Sequence, residues 1–212
     1  MTPHNASDIL EGFCRMAPVI PVLVIEDAAR ARPLAEALRD GGLTVLEVTL
    51  RTPVALEAIR RIADVPGVIV GAGTLLAAED VREAVAVGAR FGVSPGATPA
   101  LLDACETAGL PLLPGAATAS EVMALRARGY RVLKFFPAGS SGGAAALRAL
   151  AGPFPDMRFC PTGGIGPSNA AEYLALDTVL CVGGSWVAPP AMVAAGDWAD
   201  ITGLARQAAR LR

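Results

Sequence analysis

The chain has 212 residues, 53% of them apolar, and a formal net charge of −2 at pH 7. That is enough material for one substantial core. Charges of both signs are spread along the sequence, with no basic block or aromatic-basic interleaving of the kind that binds nucleic acid. Met1 to Phe13 lacks the basic and apolar regions of a signal peptide, and the longest apolar stretch, Met16 to Ile25, is broken by Pro18 and Pro21. A soluble, cytoplasmic protein acting on a small molecule, with no nucleic-acid or membrane partner, is the expectation.

In chain order, a helix is expected over roughly Ser7 to Met16, followed by eight short β-branched runs about 20 to 27 residues apart, the span of one strand-loop-helix unit. The runs are Val19 to Ile25, Thr44 to Leu50, Val68 to Gly71, Phe91 to Ser94, Pro111 to Leu113, Arg131 to Phe136, Arg158 to Pro161 and Thr178 to Val182. Alanine-rich amphipathic stretches lie between them. Their ends are marked by Pro33 and Gly41-Gly42, by Thr52-Pro53 and Thr98-Pro99 as starts, and by Thr118-x-x-Glu121 as a capping box. The alternation predicts a single α/β domain over residues 1–212, a (β/α)8 TIM barrel with an extra N-terminal helix. A doubly wound open sheet is the competing reading, but it gives no reason for polar residues to face inward on several strands.

Side chains alternate along a strand, so the second run sorts into two faces. Leu46, Val48 and Leu50 form an all-apolar face suited to packing under helices. Val45, Glu47, Thr49 and Arg51 then point toward the barrel axis, near the strand's C-terminal end, where barrel enzymes carry their chemistry. On the sixth run Val132, Lys134 and Phe136 share a face, and turning Lys134 inward brings it into the volume that Glu47 enters. Lys134 is the only lysine among 18 basic residues. An arginine would supply charge equally well but keeps its proton; a desolvated amine can lose one and act as a nucleophile. The pair therefore reads as a Schiff-base former beside a general acid and base. A buried Glu47–Lys134 or Glu47–Arg51 ion pair is the purely structural alternative, and such pairs stabilise poorly because each ion must be desolvated.

Gly163-Gly164 and Gly183-Gly184-Ser185 follow the seventh and eighth runs, where barrels often bind phosphate through backbone N–H groups. Thr162 and Ser185 add hydroxyls, although paired glycines also serve as plain tight turns. Gly71-Ala72-Gly73-Thr74 forms another small-residue loop, where a carboxylate could meet Thr74 and Arg51. Pro95 reads as part of a shaped wall. Cys14, Cys105, Cys160 and Cys181 show no C-x-x-C spacing, and His4, the only histidine, lies in an N-terminal segment expected to be mobile. Neither a disulfide framework nor a metal site is expected.

With these residues in hand, the chain resembles the 2-keto-3-deoxy-6-phosphogluconate aldolase family. The matching segments are Gly42 to Thr52, Val70-Gly71-Ala72-Gly73-Thr74, Val93-Ser94-Pro95-Gly96, Leu133 to Ala138, Pro161-Thr162-Gly163-Gly164-Ile165 and Val182-Gly183-Gly184-Ser185-Trp186, in family order over nearly the whole chain. Ala119 departs from the pattern, standing where the family has a proline. The resemblance implies a class I aldolase: Lys134 forms an imine with the keto acid, Glu47 shuttles protons, and Arg51 and Thr74 hold the pyruvate carboxylate. Thr162, Gly163, Gly164 and Ser185 receive the phosphate and distal hydroxyls, with Pro95 and Phe136 as pocket wall. It further implies reversible cleavage of the keto-deoxy phosphosugar acid to pyruvate and glyceraldehyde 3-phosphate, no cofactor, no metal, and a homotrimer. 4-Hydroxy-2-oxoglutarate and the galactonate epimer remain alternative substrates. A metal-dependent phosphosugar epimerase is disfavoured by the shortage of histidine, and a mere phosphosugar-binding module has no use for an inward amine beside an inward glutamate.

Overall fold

The structure, a computed structural model, describes residues 1–211. Helix α1 (Pro3–Arg15) leads into β1 (Val19–Leu23), α2 (Ala31–Asp40), β2 (Val45–Thr49), α3 (Ala55–Ala63), β3 (Ile69–Gly73), α4 (Ala78–Ala86), β4 (Phe91–Val93) and α5 (Pro99–Ala108). The second half runs β5 (Leu112–Leu113), β6 (Gly115–Ala116), α6 (Ala119–Arg128), β7 (Val132–Phe135), α7 (Gly143–Ala151), β8 (Arg158–Pro161), α8 (Ala170–Leu174), β9 (Val182–Gly184), α9 (Pro190–Ala195) and α10 (Trp198–Ala208). All the ladders are parallel, in the orders β5-β4-β3-β2-β1-β9 and β6-β7-β8. This is an α/β fold in which a curled parallel sheet carries helices on its outer side, as parallel strands require when both their faces are buried.

The alternation on β2 is the one the residue types demand. Leu46 and Val48 are fully buried in the outer layer with Leu34, Ile59 and Ile62, whereas Val45 belongs to a second apolar cluster on the concave side with Phe91, Val93 and Val132. Burial of each such Leu or Val is worth about 1.5 to 3 kcal/mol, and a one-residue slip would forfeit it on every strand at once. That constraint holds Glu47 and Thr49 on the concave side.

Local signals place several helix starts. Thr98 accepts from the Leu101 N–H ahead of Pro99, and Thr118 and Glu121 cap each other's backbone N–H groups. Thr52 behaves differently: its hydroxyl donates to the Ile25 carbonyl at 2.6 Å, and α3 begins only at Ala55. A bond across to the segment after β1 has taken the place of a cap.

Several segments depart from the sequence expectation; Gly71-Ala72-Gly73, expected in a loop, is the end of β3, paired in register with β2. Helix α1 starts at Pro3 and takes in His4, so the terminal segment is ordered. Ser7 accepts from the Arg131 N–H at 2.9 Å, and Leu10 and Cys14 enter the concave cluster. The fifth run, expected to end at Leu113, is followed beyond Pro114 by a second short strand; Pro114 has no N–H for the ladder, and β5 pairs with β4 while β6 pairs with β7. The eighth run was expected over Thr178 to Val182, but the strand is Val182–Gly184. Neighbouring segments approach too closely there for a side chain: a Cβ on Gly183 would lie 2.2 Å from Thr162 Oγ1. Glycine is poor in strand propensity, so a search for β-branched residues misses a strand built on close approach.

Candidate active site

A cavity of about 430 Å³ opens at the C-terminal ends of the strands, a size suited to a small metabolite. Glu47 enters it from β2 and Lys134 from β7, with Nζ 3.1 Å from Oε1 and 3.4 Å from Oε2. Lys134 is 5% exposed and Glu47 3%. Nζ also lies 5.3 Å from the centre of the Phe136 ring. An ion pair this deep costs several kcal/mol of desolvation per ion, so its contribution to stability is small for what it requires. What it does provide is an amine and a carboxylate within proton-transfer distance in a nearly dry setting.

The rest of the cavity wall is formed by Arg51, Thr74, Pro95, Phe136, Thr162, Gly163, Gly164 and Ser185, so all ten residues singled out from the sequence meet in one place. Arg51 stands at the exposed rim. Many arginines pair with carboxylates, as Arg15 does with Glu11 and Arg61 with Glu57, although Arg90, Arg148 and Arg206 have no such ion pair among the described residues either. The Arg51 side chain has no ion pair or hydrogen bond among the described residues. A cation kept unpaired at the mouth of a cavity is suited to an anionic ligand.

Thr74 is the one non-glycine residue with positive φ among those described, at 64°. A β-branched residue in that region is strained by about 1 to 2 kcal/mol. Both neighbours hold it there: Leu50 N–H donates to the Gly73 carbonyl at 2.8 Å, and Leu75 N–H to the Val93 carbonyl at 3.1 Å. Thr162 is the second anomaly. Its hydroxyl is buried on the cavity wall without a hydrogen-bond partner among the described residues, a condition that costs about 1 to 3 kcal/mol unless a ligand relieves it. Gly163 and Gly164 follow with φ of 99° and 72°, a turn open to glycine and not to bulkier residues.

The sequence model of the KDPG and KHG aldolases matches residues 10–204. The chain belongs to that aldolase family. The 2-dehydro-3-deoxy-phosphogluconate aldolase of Pseudoalteromonas atlantica is 55% identical over 192 residues, covering 90% of this chain and 89% of the relative. The 2-keto-3-deoxy-6-phosphogluconate aldolase of Zymomonas mobilis ZM4, solved with 3-phosphoglycerate, superimposes with a TM-score of 0.92 at 50% identity over 97% of both chains. The KDPG aldolase of Legionella pneumophila, captured with pyruvate as a covalent carbinolamine, gives a TM-score of 0.91 at 46% identity over 94% of this chain and 97% of that one.

Within this cavity, sequence reasoning passed over several residues. Val22, Ile165 and Ala188 also line the cavity, together with Thr49, which the sequence already turns inward. Strand alternation from Glu47 brings out Thr49, whose hydroxyl donates to the Leu23 carbonyl at 2.9 Å, whereas Ile165 and Ala188 carry no chemical signal. The glycines of the eighth-strand loop also have a steric reason to be there. A Cβ on Gly183 would strike Thr162, and one on Gly184 would fall 1.8 Å from the Trp186 ring. Among the described residues no cluster of three or more His, Cys, Asp or Glu is arranged to hold a metal ion.

Proposed function

We propose that this protein is a class I aldolase that reversibly cleaves 2-dehydro-3-deoxy-6-phosphogluconate to pyruvate and glyceraldehyde 3-phosphate through an imine on Lys134. The observation that carries the reading is the buried amine of Lys134, 3.1 Å from the Glu47 carboxylate in the one cavity that also holds the unpaired Arg51. The free amine adds to the C2 ketone, and loss of water from the carbinolamine leaves a protonated imine. Glu47 takes the proton of the C4 hydroxyl; the C3–C4 electron pair moves to C3 as an enamine while C4 leaves as the aldehyde carbonyl. Returning the proton to C3 gives the pyruvate imine, and water releases pyruvate and the amine. This is covalent catalysis assisted by one acid–base group.

Arg51 and Thr74 are assigned the carboxylate, in keeping with the unpaired guanidinium and the strained backbone. Thr162, Gly163, Gly164 and Ser185 are assigned the distal hydroxyls and phosphate, in keeping with the orphaned Thr162 hydroxyl and the glycine turn beside it; Pro95 and Phe136 are the walls. 4-Hydroxy-2-oxoglutarate is the second reading, favoured by the breadth of the matching family description. We further infer that the two sheets are one closed eight-stranded barrel, a single domain over residues 1–212. β5 and β6 are separated by Pro114 alone, and the bridges Phe159–Val179 and Thr162–Gly183 link β8 to the β9 segment. A homotrimer is the assembly proposed, with Leu76 and Met123 as apolar surface available for contacts; light scattering would read the mass.

The deciding experiment is borohydride reduction in the presence of pyruvate, followed by peptide mass mapping. One reduced pyruvate on the peptide carrying Lys134 is expected, with none in Lys134→Arg, which should fold but not turn over. An adduct confined to the N-terminal amine would overturn the assignment.

A further inference from the structure

Strand β3 turns two glycines, Gly71 and Gly73, toward the concave side, and each leaves a gap that a neighbour fills. A Cβ on Gly71 would lie 2.4 Å from the Phe91 ring; one on Gly73 would lie 2.3 Å from Glu47 Oε1, 2.7 Å from Cγ and 2.8 Å from Cδ. The backbone does not demand glycine at Gly73. Its φ is not positive, and it pairs with Thr49 in a regular parallel ladder. The reason for the missing side chain is therefore the carboxylate beside it. Glu47 itself is paired in register with Gly71, yet its carboxylate lies against Gly73. It leans up the neighbouring strand toward the cavity mouth, and at that height it meets Lys134 Nζ.

We propose that Gly73 is a positioning residue for Glu47: the absent side chain on β3 is the slot that sets the height of the carboxylate and its reach to the amine. The inference rests on the reading of Glu47 as the acid–base group. Any Cβ in the slot would push the carboxylate by about 1 Å, the gap between 2.3 Å and an ordinary van der Waals contact. A displacement of that size is enough to cost roughly 10²-fold in rate. Imine formation needs the Lys134 amine, and the three atoms that the added methyl would crowd most closely all belong to Glu47.

The test is exchange of the pyruvate methyl protons into deuterated water, followed by NMR for the native chain, Gly73→Ala, Glu47→Gln and the double variant. Gly73→Ala should slow exchange by roughly 10²-fold, leave KM for pyruvate nearly unchanged, and still yield the borohydride adduct on Lys134. Added to Glu47→Gln it should change little, because the group it acts through is already disabled. Native exchange rates in Gly73→Ala, or losses that multiply in the double variant, would overturn the proposal. Glu47→Gln measured alone reads the parent assignment separately: unimpaired exchange there removes Glu47 as the acid–base group and the proposal with it. Should Gly73→Ala not fold, the same change is made in Glu47→Ala, where the slot is vacated. Recovery of folding supports the steric coupling, and failure in both backgrounds overturns it.

Discussion

Two side chains hold positions that folding alone would not select. Glu47 and Lys134 sit buried against each other, and an apolar pair of similar volume would be no less stable. Glu47→Gln preserves that shape and much of the hydrogen bonding but cannot accept a proton. Pyruvate should still be trapped on Lys134 in this variant while methyl-proton exchange falls by roughly 10²- to 10⁴-fold, the range for loss of one acid–base group; NMR in deuterated water measures it. Thr74 offers the complementary experiment. At φ 64° a glycine would relieve strain, so Thr74→Gly should leave the melting temperature level or raised. Loss of the hydroxyl should nonetheless raise the pyruvate concentration needed for half-maximal exchange, a split between stability and function that marks strain retained for binding.

The loops after β8 and β9 form one wall of the cavity, and they differ from β2 and β7 in what they ask of the backbone. Gly163 and Gly164 need positive φ, whereas Gly183 and Gly184 need only the absence of a Cβ. Ser185 follows as an exposed hydroxyl on the cavity wall. Ser185→Ala should reduce kcat/KM for the phosphorylated six-carbon substrate by roughly 10- to 100-fold, the loss of one hydrogen bond to a charged group. Cleavage of 4-hydroxy-2-oxoglutarate, which carries no phosphate, should be little affected. Equal losses on both substrates would make the loop a support of the sheet rather than a phosphate site. Remote contacts of this kind act on turnover as well as affinity because they help hold the reacting carbon in line.

Stability of the molecule as a unit carries its own pH signature. Burial, with a smaller contribution from nearby Glu106, pushes the Cys105 thiol on α5 up from its ordinary value near 9 to about 12. Tyr130, buried close by and bonded to Glu106, is pushed upward as well. Both groups bind their protons more tightly in the folded chain than in the unfolded one. Their contribution to stability is thus fully present below the unfolded pKa and is lost as pH rises toward the folded value. Between about pH 9 and 12 the urea midpoint should fall steadily. At pH 8.5 iodoacetamide should leave Cys105 unmodified in the folded protein and label it in urea, as mass mapping would show.

Much of the site was legible because strand alternation is local. Once Leu46 and Val48 must face the helices, Glu47 has nowhere to go but inward, and the same argument turns Lys134 to meet it. The capping pairs at Thr98 and Thr118 were legible for the same reason, since each is complete within four residues. What alternation cannot supply is register and lean across strands 87 positions apart in sequence, and these put Nζ 3.1 Å from Oε1. The slot at Gly73, the β9 strand built on glycines, the bond from Thr52 that displaced a helix start, and the meeting of Cys14, Cys160 and Cys181 in one cluster belong to the same class. Residue type and spacing determined which groups face the interior; only long-range packing, which sets how closely strands approach and what room a missing side chain leaves, decided where in that interior they stop.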